Sequence, residues 1–191
     1  MASTAGDAPR RHRLTVRDYY RMAEVGILRP DARVELIEGE IIDMAPIGSR
    51  HAGIVDQISH ILQRVAGELV SVRVQNPVWL DEHSEPEPDI ALLRPRADFY
   101  KSGHPQAADV LLIIEVGETS LRYDREIKVP LYARHGVPEV WVVAVDARSL
   151  TRYRDPRAGA YSRIDRPDTR EPLPVDAVEG LRVDFAAVFA D

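Results

Sequence analysis

The sequence contains no cysteine among its 191 residues. This absence excludes disulfides, zinc–thiolate sites and thiol nucleophiles, and it is typical of proteins in a reducing cytoplasm, where we expect this chain to act. Long apolar runs are also absent. The run VLLII at 110–114 is far too short to span a bilayer, and the N-terminal segment has no apolar stretch that resembles a signal sequence. We therefore expect no membrane partner.

Several catalytic motifs are missing as well. Neither G-x-x-x-x-G-K-[ST] nor G-x-G-x-x-G occurs, so the common phosphate-binding glycine loops are not available. G-x-S-x-G is absent, which weakens a serine hydrolase interpretation, and no pair of the six histidines has a zinc-binding spacing on one helical face. Carboxylates and lysine remain as the groups that could carry chemistry.

The formal net charge is −6. A protein that coats nucleic acid by neutralising phosphates is usually basic, so this charge counts against such a role. It is compatible with a metal enzyme, whose carboxylates are offset by bound cations. Arginines are unevenly distributed, and their simplest interpretation is solvated surface. They group in an N-terminal arm and in the C-terminal third: Arg10, Arg11 and Arg13, then Arg148, Arg152, Arg154, Arg157 and Arg163.

The length fits one domain with a true hydrophobic core, and the hydrophobic and charged fractions of 45% and 29% are those of a globular protein. We expect residues 1–13 to form a disordered arm and residues 14–191 to form a single domain. Thr15 can cap a short helix that ends near Gly26. Residues 33–44 predict a β-hairpin that turns at Glu38-Gly39.

Helix and strand patterns then alternate. Ser49 begins a helix with a broad apolar face. Strands are predicted at 71–75, 77–80, 89–93, 109–116 and 138–145, and the fourth of these is apolar enough to be buried on both faces. A helix at 124–135 contains Pro130, which must kink it or lie in its first turn. A peripheral hairpin at 149–164 and a short helix at 182–190 complete an α/β or α+β fold, with a mixed sheet flanked by helices.

Two carboxylates stand at the ends of predicted strands. Asp89 begins one apolar strand, and Glu115 ends another, where a buried carboxylate is costly unless something compensates its charge. A hard divalent cation would do so, because Mg²⁺ prefers oxygen ligands and is typically held by one or two carboxylates, water and substrate phosphate. Taken singly, each residue is more often structural than a metal ligand.

Lysine is scarce, with only Lys101 and Lys128 present. On a helix, Asp124, Lys128 and Tyr132 share one face at successive i, i+4 steps. One interpretation is a surface ion pair between Asp124 and Lys128. The other is a lysine near the carboxylates that orients or helps to deprotonate a water molecule and stabilises charge on a phosphate.

The combination of motifs is similar to the Uma-two family of restriction-endonuclease-like proteins, which belongs to the PD-(D/E)XK nuclease superfamily. The similar segments are VELIEGEII, PEPDIALL, LLIIEVGETSLRYDREIKVPLYARHGVPEVWVV and VDFAAVF, within roughly residues 15–190. The most specific part is the block from Glu115 to Trp141. The resemblance implies a restriction-endonuclease-like fold, with a mixed sheet flanked by helices.

The resemblance also assigns site residues. Pro88-Asp89 matches the Pro-Asp of the superfamily, and Glu115 matches the acidic residue of the second half-motif. In the usual pattern a lysine follows that acid by two positions, but Gly117 stands there in this chain. Lys128 matches the lysine that the family carries on the following helix instead. Glu35 matches an early glutamate of the family, and His51 and Gln75 also stand at family-typical positions.

The implied function is that of a Mg²⁺-dependent endonuclease acting on DNA, with Mn²⁺ as a substitute metal. Asp89, Glu115 and the Val116 carbonyl would hold the ion. Lys128 would assist the water nucleophile, and Glu35 would help through a second metal or a water. A homodimer is expected by analogy, because such a core usually cuts both strands as a dimer.

Two alternatives remain open. The first is a nuclease-like fold that binds nucleic acid or a protein partner without cutting, which the acidic charge and the missing lysine at position 117 favour. The second is a carboxylate-pair hydrolase such as a glycosidase. It ranks last because an aromatic content of 6% offers few platforms for sugar stacking.

Overall fold

The computed structural model describes residues 11–189, and its first element is a capped helix. Helix α1 (Val16–Glu24) follows Thr15, whose hydroxyl accepts a hydrogen bond from the Asp18 amide at 3.1 Å. The Asp18 carboxylate accepts one from the Thr15 amide at 2.9 Å. This reciprocal cap pairs amides that a helix start otherwise leaves free, and the helix predicted after Thr15 is confirmed. Residues 1–10 of the predicted arm lie outside the described residues.

The hairpin predicted at 33–44 is present. Strand β1 (Val34–Ile37) pairs antiparallel with β2 (Glu40–Asp43). Glu38 and Gly39 have φ values of 51° and 82°, the pair of positive angles that a two-residue type I′ turn requires. The hairpin forms a sheet of its own, separate from the main sheet.

The main sheet has six strands in the order β3-β4-β5-β6-β7-β8. Only the β5–β6 pair is parallel, which makes the sheet mixed, as predicted. Every residue of β5 is buried, as expected of a strand covered on both faces. The strand bounds are β3 (Ser71–Val74), β4 (Ile90–Leu93), β5 (Val110–Gly117), β6 (Glu139–Ala144), β7 (Ser149–Arg157) and β8 (Ala160–Asp165).

Each face of the sheet carries its own hydrophobic cluster. Helix α2 (Ser49–Ala66) covers one face, where Ile58 packs in the same cluster as Ile114. Tyr132, from the helical segment after β5, packs on the other face in the same cluster as Ile113. Alternate residues of β5 thus point to opposite layers. Among the described residues, no helix is long and apolar enough to cross a membrane.

The helical segment after β5 contains a π-helix. It runs through α3 (Leu121–Tyr123), the π-helix (Asp124–Lys128) and α4 (Val129–Arg134). Pro130 stands at the start of α4, directly after the wider turn, which is the first-turn placement that its missing amide favours. Single π-turns within helices are rare and often occur at functional sites.

Two predicted elements are wrong. Residues 77–80 are not a strand of the sheet, and Trp79 makes only an isolated bridge to Gln106. The helix predicted at 182–190 is instead strand β10 (Arg182–Val183), paired with β9 (Leu173–Pro174), followed by a short 3₁₀ helix at Ala186–Phe189. Residue 190 lies outside the described residues. In both cases contacts with distant segments outweigh the local pattern.

The interpretation of the C-terminal arginines as solvated surface is wrong for two of them. Arg152 and Arg154 are each only 8% exposed. Both contact Asp165 on the neighbouring strand, and Arg154 also contacts Asp176. The predicted C-terminal hairpin forms the last two strands of the main sheet, β7 and β8, because β7 pairs with β6, and the two buried arginines reach half-exposed aspartates.

Candidate active site

The polar side chains singled out in the sequence meet around one cavity of about 310 Å³. Because β4 and β5 are antiparallel, with Ile90 opposite Ile114, the residue before β4 and the last residues of β5 lie at the same edge of the sheet. The charged lining comprises seven carboxylates and three basic groups. They are Glu35, Asp43, Glu87, Asp89, Glu115, Glu118 and Asp124, together with Arg33, His51 and Lys128.

Asp89 is held by three neighbours. Its Oδ1 lies 3.0 Å from His51 Nε2 and 3.4 Å from Gln75 Nε2. Its Oδ2 accepts a hydrogen bond of 2.8 Å from the Val116 amide. Burial opposes ionisation, but His51 and the Val116 amide outweigh it and lower the pKa of Asp89. Asp89 is therefore an anion.

His51 lies against two of the groups predicted to hold a metal. Its hydrogen bond with Asp89 is the main reason that the pKa of His51 is raised, and burial acts in the opposite direction. A hydrogen bond with the Val116 backbone raises this pKa further. The imidazole is therefore protonated more readily than a free histidine, and its protonated form places positive charge beside the Asp89 carboxylate and the Val116 backbone.

Glu115 lies near the carboxyl end of β5 and is only 2% exposed. Its Oε1 accepts a hydrogen bond of 2.7 Å from the Tyr132 hydroxyl and lies 3.0 Å from Lys128 Nζ. Burial raises the pKa of Glu115 to about 8, against the opposing charge of Lys128 and with a further increase from Asp124 and Asp89. Burial is thus the main reason that the pKa of Glu115 is raised, and the charge of Lys128 offsets it in part.

Lys128 extends from the π-helix into the carboxylate cluster. Its Nζ lies 3.0 Å from Glu115 and 3.3 Å from Glu35, and the side chain is buried. Burial disfavours the ammonium, but attraction to Glu115 and Glu35 outweighs it and raises the pKa of Lys128 well above its usual value. The interpretation of Lys128 as half of a surface ion pair with Asp124 is wrong, because both residues are buried.

Position 117 has no room for the lysine of the usual motif. A Cβ added to Gly117 would lie 2.8 Å from the Leu121 Cα and 2.9 Å from its Cβ. The turn into α3 therefore excludes any side chain at this position. Lys128, from the same helical segment, instead brings an ammonium group to Glu115.

Glu35 reaches the site through the separate hairpin. The Glu85 amide donates a hydrogen bond of 2.8 Å to the Leu36 carbonyl, which fixes β1 beside the segment that leads into Asp89. The Glu35 carboxylate accepts a hydrogen bond of 3.0 Å from the Glu87 amide and also contacts Lys128. The structure thus brings Glu35, Asp89, Glu115 and Lys128 together around one cavity.

The donor set fits a hard divalent cation that is bound through few protein ligands. Within residues 11–189, no group of three or more His, Cys, Asp or Glu side chains is arranged to hold a metal ion. Asp89 and Glu115 with the Val116 carbonyl correspond instead to the Mg²⁺ pattern of one or two carboxylates completed by water. The chemistry of this donor set, two carboxylates and a backbone carbonyl at one edge of the sheet, is what favours such a cation, and added positive charge would also stabilise the buried Glu115 anion.

The lining or contacting residues that were not predicted as site residues include Tyr132, Glu87 and Tyr123. Tyr132 donates to Glu115, and its spacing of four residues after Lys128 is the signal that could have identified it. Glu87 lines the cavity and directly precedes Pro88-Asp89, which is a weaker signal. Tyr123 also lines the cavity, and no sequence pattern distinguishes it from an ordinary helical tyrosine.

Comparisons with known proteins agree with this architecture. A family model named Uma2 and described as "Putative restriction endonuclease" matches residues 16–186. A crystal structure from Anabaena variabilis ATCC 29413, described as "a putative nuclease belonging to DUF820", aligns with a TM-score of 0.68 and 16% sequence identity. The alignment covers 92% of this chain and 97% of that chain, and at this identity the likeness is one of fold. No curated protein matches significantly. Because the family match spans most of its length, the chain belongs to the Uma2 family.

Proposed function

We propose that this protein is a Mg²⁺-dependent endonuclease that hydrolyses phosphodiester bonds of DNA. The observation that carries the proposal is the convergence of Asp89 and Glu115 at adjacent strand ends, with Lys128 Nζ 3.0 Å from the Glu115 carboxylate. The description of the family as restriction endonucleases supports the same chemistry. A glycosidase has no comparable support.

The side chains of the site have two kinds of proposed role: some bind the metal ion, and others stabilise or position charge near it. Asp89, Glu115 and the Val116 carbonyl would hold Mg²⁺, which when bound activates water and neutralises charge on a phosphate. Lys128 stabilises the negative charge that develops on the phosphate. Its raised pKa opposes a role as proton acceptor. Glu35 fixes the position of Lys128 through their ion pair, which is the role that its geometry supports best.

Nuclease cores of this kind usually work as dimers when they cut both strands of a duplex. For this reason we propose that the protein acts as a homodimer, in the cytoplasm, with one site for each strand. Light scattering would test the assembly by giving twice the mass of the chain. A monomeric mass together with single-strand nicking would contradict it.

The proposal is tested with purified protein and a labelled DNA duplex. We expect cleavage with Mg²⁺ or Mn²⁺ and none with EDTA. Asp89→Asn and Glu115→Gln should each reduce the cleavage rate by at least about 100-fold, because each removes a charge from the metal site. Circular dichroism would establish that both variants remain folded.

Glu126→Gln is the matched control. Glu126 lies on the same π-helix but is exposed and pairs with Arg122, so its substitution should leave cleavage unchanged. Equal activity in all variants would disprove the assignment of the site. Binding of DNA without cleavage under any metal condition would favour the non-enzymatic alternative.

A further inference from the structure

A second cavity of about 390 Å³ adjoins the candidate active site. The two cavities share Ile42 and Tyr123 as lining residues, so they meet at these side chains. The lining of the second cavity includes the basic segment Arg11-His12-Arg13 and also Glu38 and Glu40. We propose that it binds a backbone phosphate next to the one that is cut, so that a DNA strand runs from the carboxylate cavity past Tyr123 to Arg13. This inference rests on the proposed nuclease function.

Electrostatics make such a binding region necessary. Seven carboxylates and three basic groups line the first cavity, and a polyanionic strand is repelled by such an excess of negative charge. Of the basic groups there, Lys128 contacts Glu115 and Glu35, and His51 contacts Asp89. Arg33 donates to the Ala45 carbonyl, which leaves its charge uncompensated, but one guanidinium is outnumbered by the other carboxylates of the lining. Attraction for the flanking phosphates must therefore come from outside this cavity.

Among the described residues that line the second cavity, Arg13 has a guanidinium that is only partly engaged. The two glutamates of its wall are neutralised by other arginines, since Glu38 pairs with Arg134 at 2.8 Å and Glu40 pairs with Arg11 at 3.1 Å. Arg13 uses only its Nε, which donates to the Glu38 carbonyl at 2.7 Å. Its two terminal nitrogens make no hydrogen bond with the described residues, and such a planar pair matches the geometry of a phosphate.

The backbone at Arg13 is held in place by the hairpin turn. The Leu14 amide donates a hydrogen bond of 3.0 Å to the Gly39 carbonyl. A Cβ added to Gly39 would lie 2.6 Å from the Arg13 Cβ, so only glycine permits this close contact. The backbone of Arg13 is therefore fixed beside the site before substrate binds. Less conformational entropy is then lost when Arg13 contacts the substrate.

The first test compares Arg13→Ala with Arg64→Ala in steady-state cleavage of labelled DNA. Arg64 is an exposed arginine in the last turn of α2, about 20 Å along the helix axis from His51. We expect Arg13→Ala to lower kcat/KM about tenfold, mainly through KM, and to reduce the slope of log affinity against log salt by about one. Arg64→Ala should match the wild type, and Arg13→Lys should recover part of the loss.

Substrate length gives a second readout. Shortening the DNA one nucleotide at a time should produce a stepwise loss in the wild type that is absent in Arg13→Ala, because the lost phosphate and the lost guanidinium belong to one contact. Equal kinetics of Arg13→Ala and wild type would overturn the inference and leave the nuclease function intact. Absence of cleavage in the wild type would overturn both.

A variant without a charge change completes the test. Gly39→Ala should displace Arg13 and reproduce the KM increase, because the new methyl group occupies the space of the Arg13 side chain. Gly26→Ala is the matched control: Gly26 also has a positive φ, of 78°, but nothing lies within 4 Å of the place that its new Cβ would take. Similar KM values for the two variants would contradict the placement of the phosphate at Arg13.

Discussion

At the residue scale, the charge balance of the site depends on Lys128. Its ammonium is the buried cation that contacts both Glu115 and Glu35, at 3.0 Å and 3.3 Å. Buried charges are tolerated only when they are paired, and removal of one partner leaves the other uncompensated. Substitution of Lys128 would therefore leave two buried carboxylates, Glu115 and Glu35, without this compensating charge.

We expect Lys128→Met to lower the free energy of unfolding by about 3–5 kcal/mol, as for other broken buried ion pairs. Urea denaturation measures the effect. Lys101, the other lysine of the chain, is exposed, so Lys101→Met makes the same chemical change without this consequence. Adding Glu35→Gln to Lys128→Met should restore part of the stability, because it removes one unpaired charge. Equal free energies of unfolding for Lys128→Met and Lys101→Met would contradict the buried ion pairs of Lys128.

The sequence predicts part of this residue-scale picture. Asp89 and Glu115 are recognisable because a carboxylate at the end of an apolar strand is costly without a partner. The scarcity of lysine and the family resemblance single out Lys128. The crowding of Gly117 by Leu121 could not be predicted, because it depends on how tightly the chain turns from β5 into α3.

At the scale of elements, the β7–β8 hairpin shows where charge patterns mislead. The sequence of this hairpin is rich in arginine, which is typical of a solvated surface. Arg152 and Arg154 are nevertheless buried, and their guanidinium groups contact the Asp165 carboxylate at 2.7 Å and 2.5 Å. Pairing across the two strands supplies the compensating carboxylate, which the local sequence does not reveal. The predicted hairpin itself is confirmed, because strand periodicity and a turn are local signals.

The same hairpin gives an expected pH dependence. Burial opposes ionisation of Asp165, but hydrogen bonds from Arg152 and Arg154 outweigh it and lower its pKa below 3.8. The unfolded chain therefore binds the proton more readily, so the stabilisation is present above that ordinary pKa and is lost as the pH falls through the folded value. We expect Asp165→Asn to cost about 1–2 kcal/mol near neutral pH.

The difference between Asp165→Asn and wild type should shrink in urea denaturation below about pH 4, as the carboxylate of the native protein takes up its proton. Asp31→Asn serves as the control, because Asp31 pairs with Arg29 at the exposed surface, where ion pairs contribute little. A difference that stays constant down to strongly acidic pH would show that the arginine contacts do not stabilise the hairpin through charge.

At the scale of the whole molecule, the mixed sheet flanked by helices is predicted from the alternation of helix and strand patterns, but the assembly of the site is not. Glu35 lies in a separate hairpin, and the bridge between Leu36 and Glu85 brings it beside Asp89. The second cavity likewise depends on the contact of Arg13 with the turn at Gly39. Such pairings join segments far apart in sequence, which local periodicity cannot specify.

The distribution of charge over the whole molecule leads to an expectation about metal and DNA together. The chain has a net charge of −6, and carboxylates outnumber basic groups by seven to three in the lining of the candidate active site. Without a divalent cation, repulsion of the phosphates should keep DNA binding weak. Ca²⁺ takes the same oxygen ligands as Mg²⁺, so it can serve as the test ion while a gel monitors cleavage.

Fluorescence anisotropy with a labelled duplex should show affinity rising more than about tenfold when Ca²⁺ replaces EDTA at constant ionic strength, because the ion offsets the carboxylates that face the strand. Asp89→Asn should reduce this gain, since it removes a proposed ligand, whereas Arg13→Ala should weaken binding with and without the ion. The two variants therefore separate the metal site from the neighbouring phosphate site. Equal affinity in EDTA and Ca²⁺ would mean that DNA binds away from the carboxylates, and the site would then have to be sought elsewhere on the molecule.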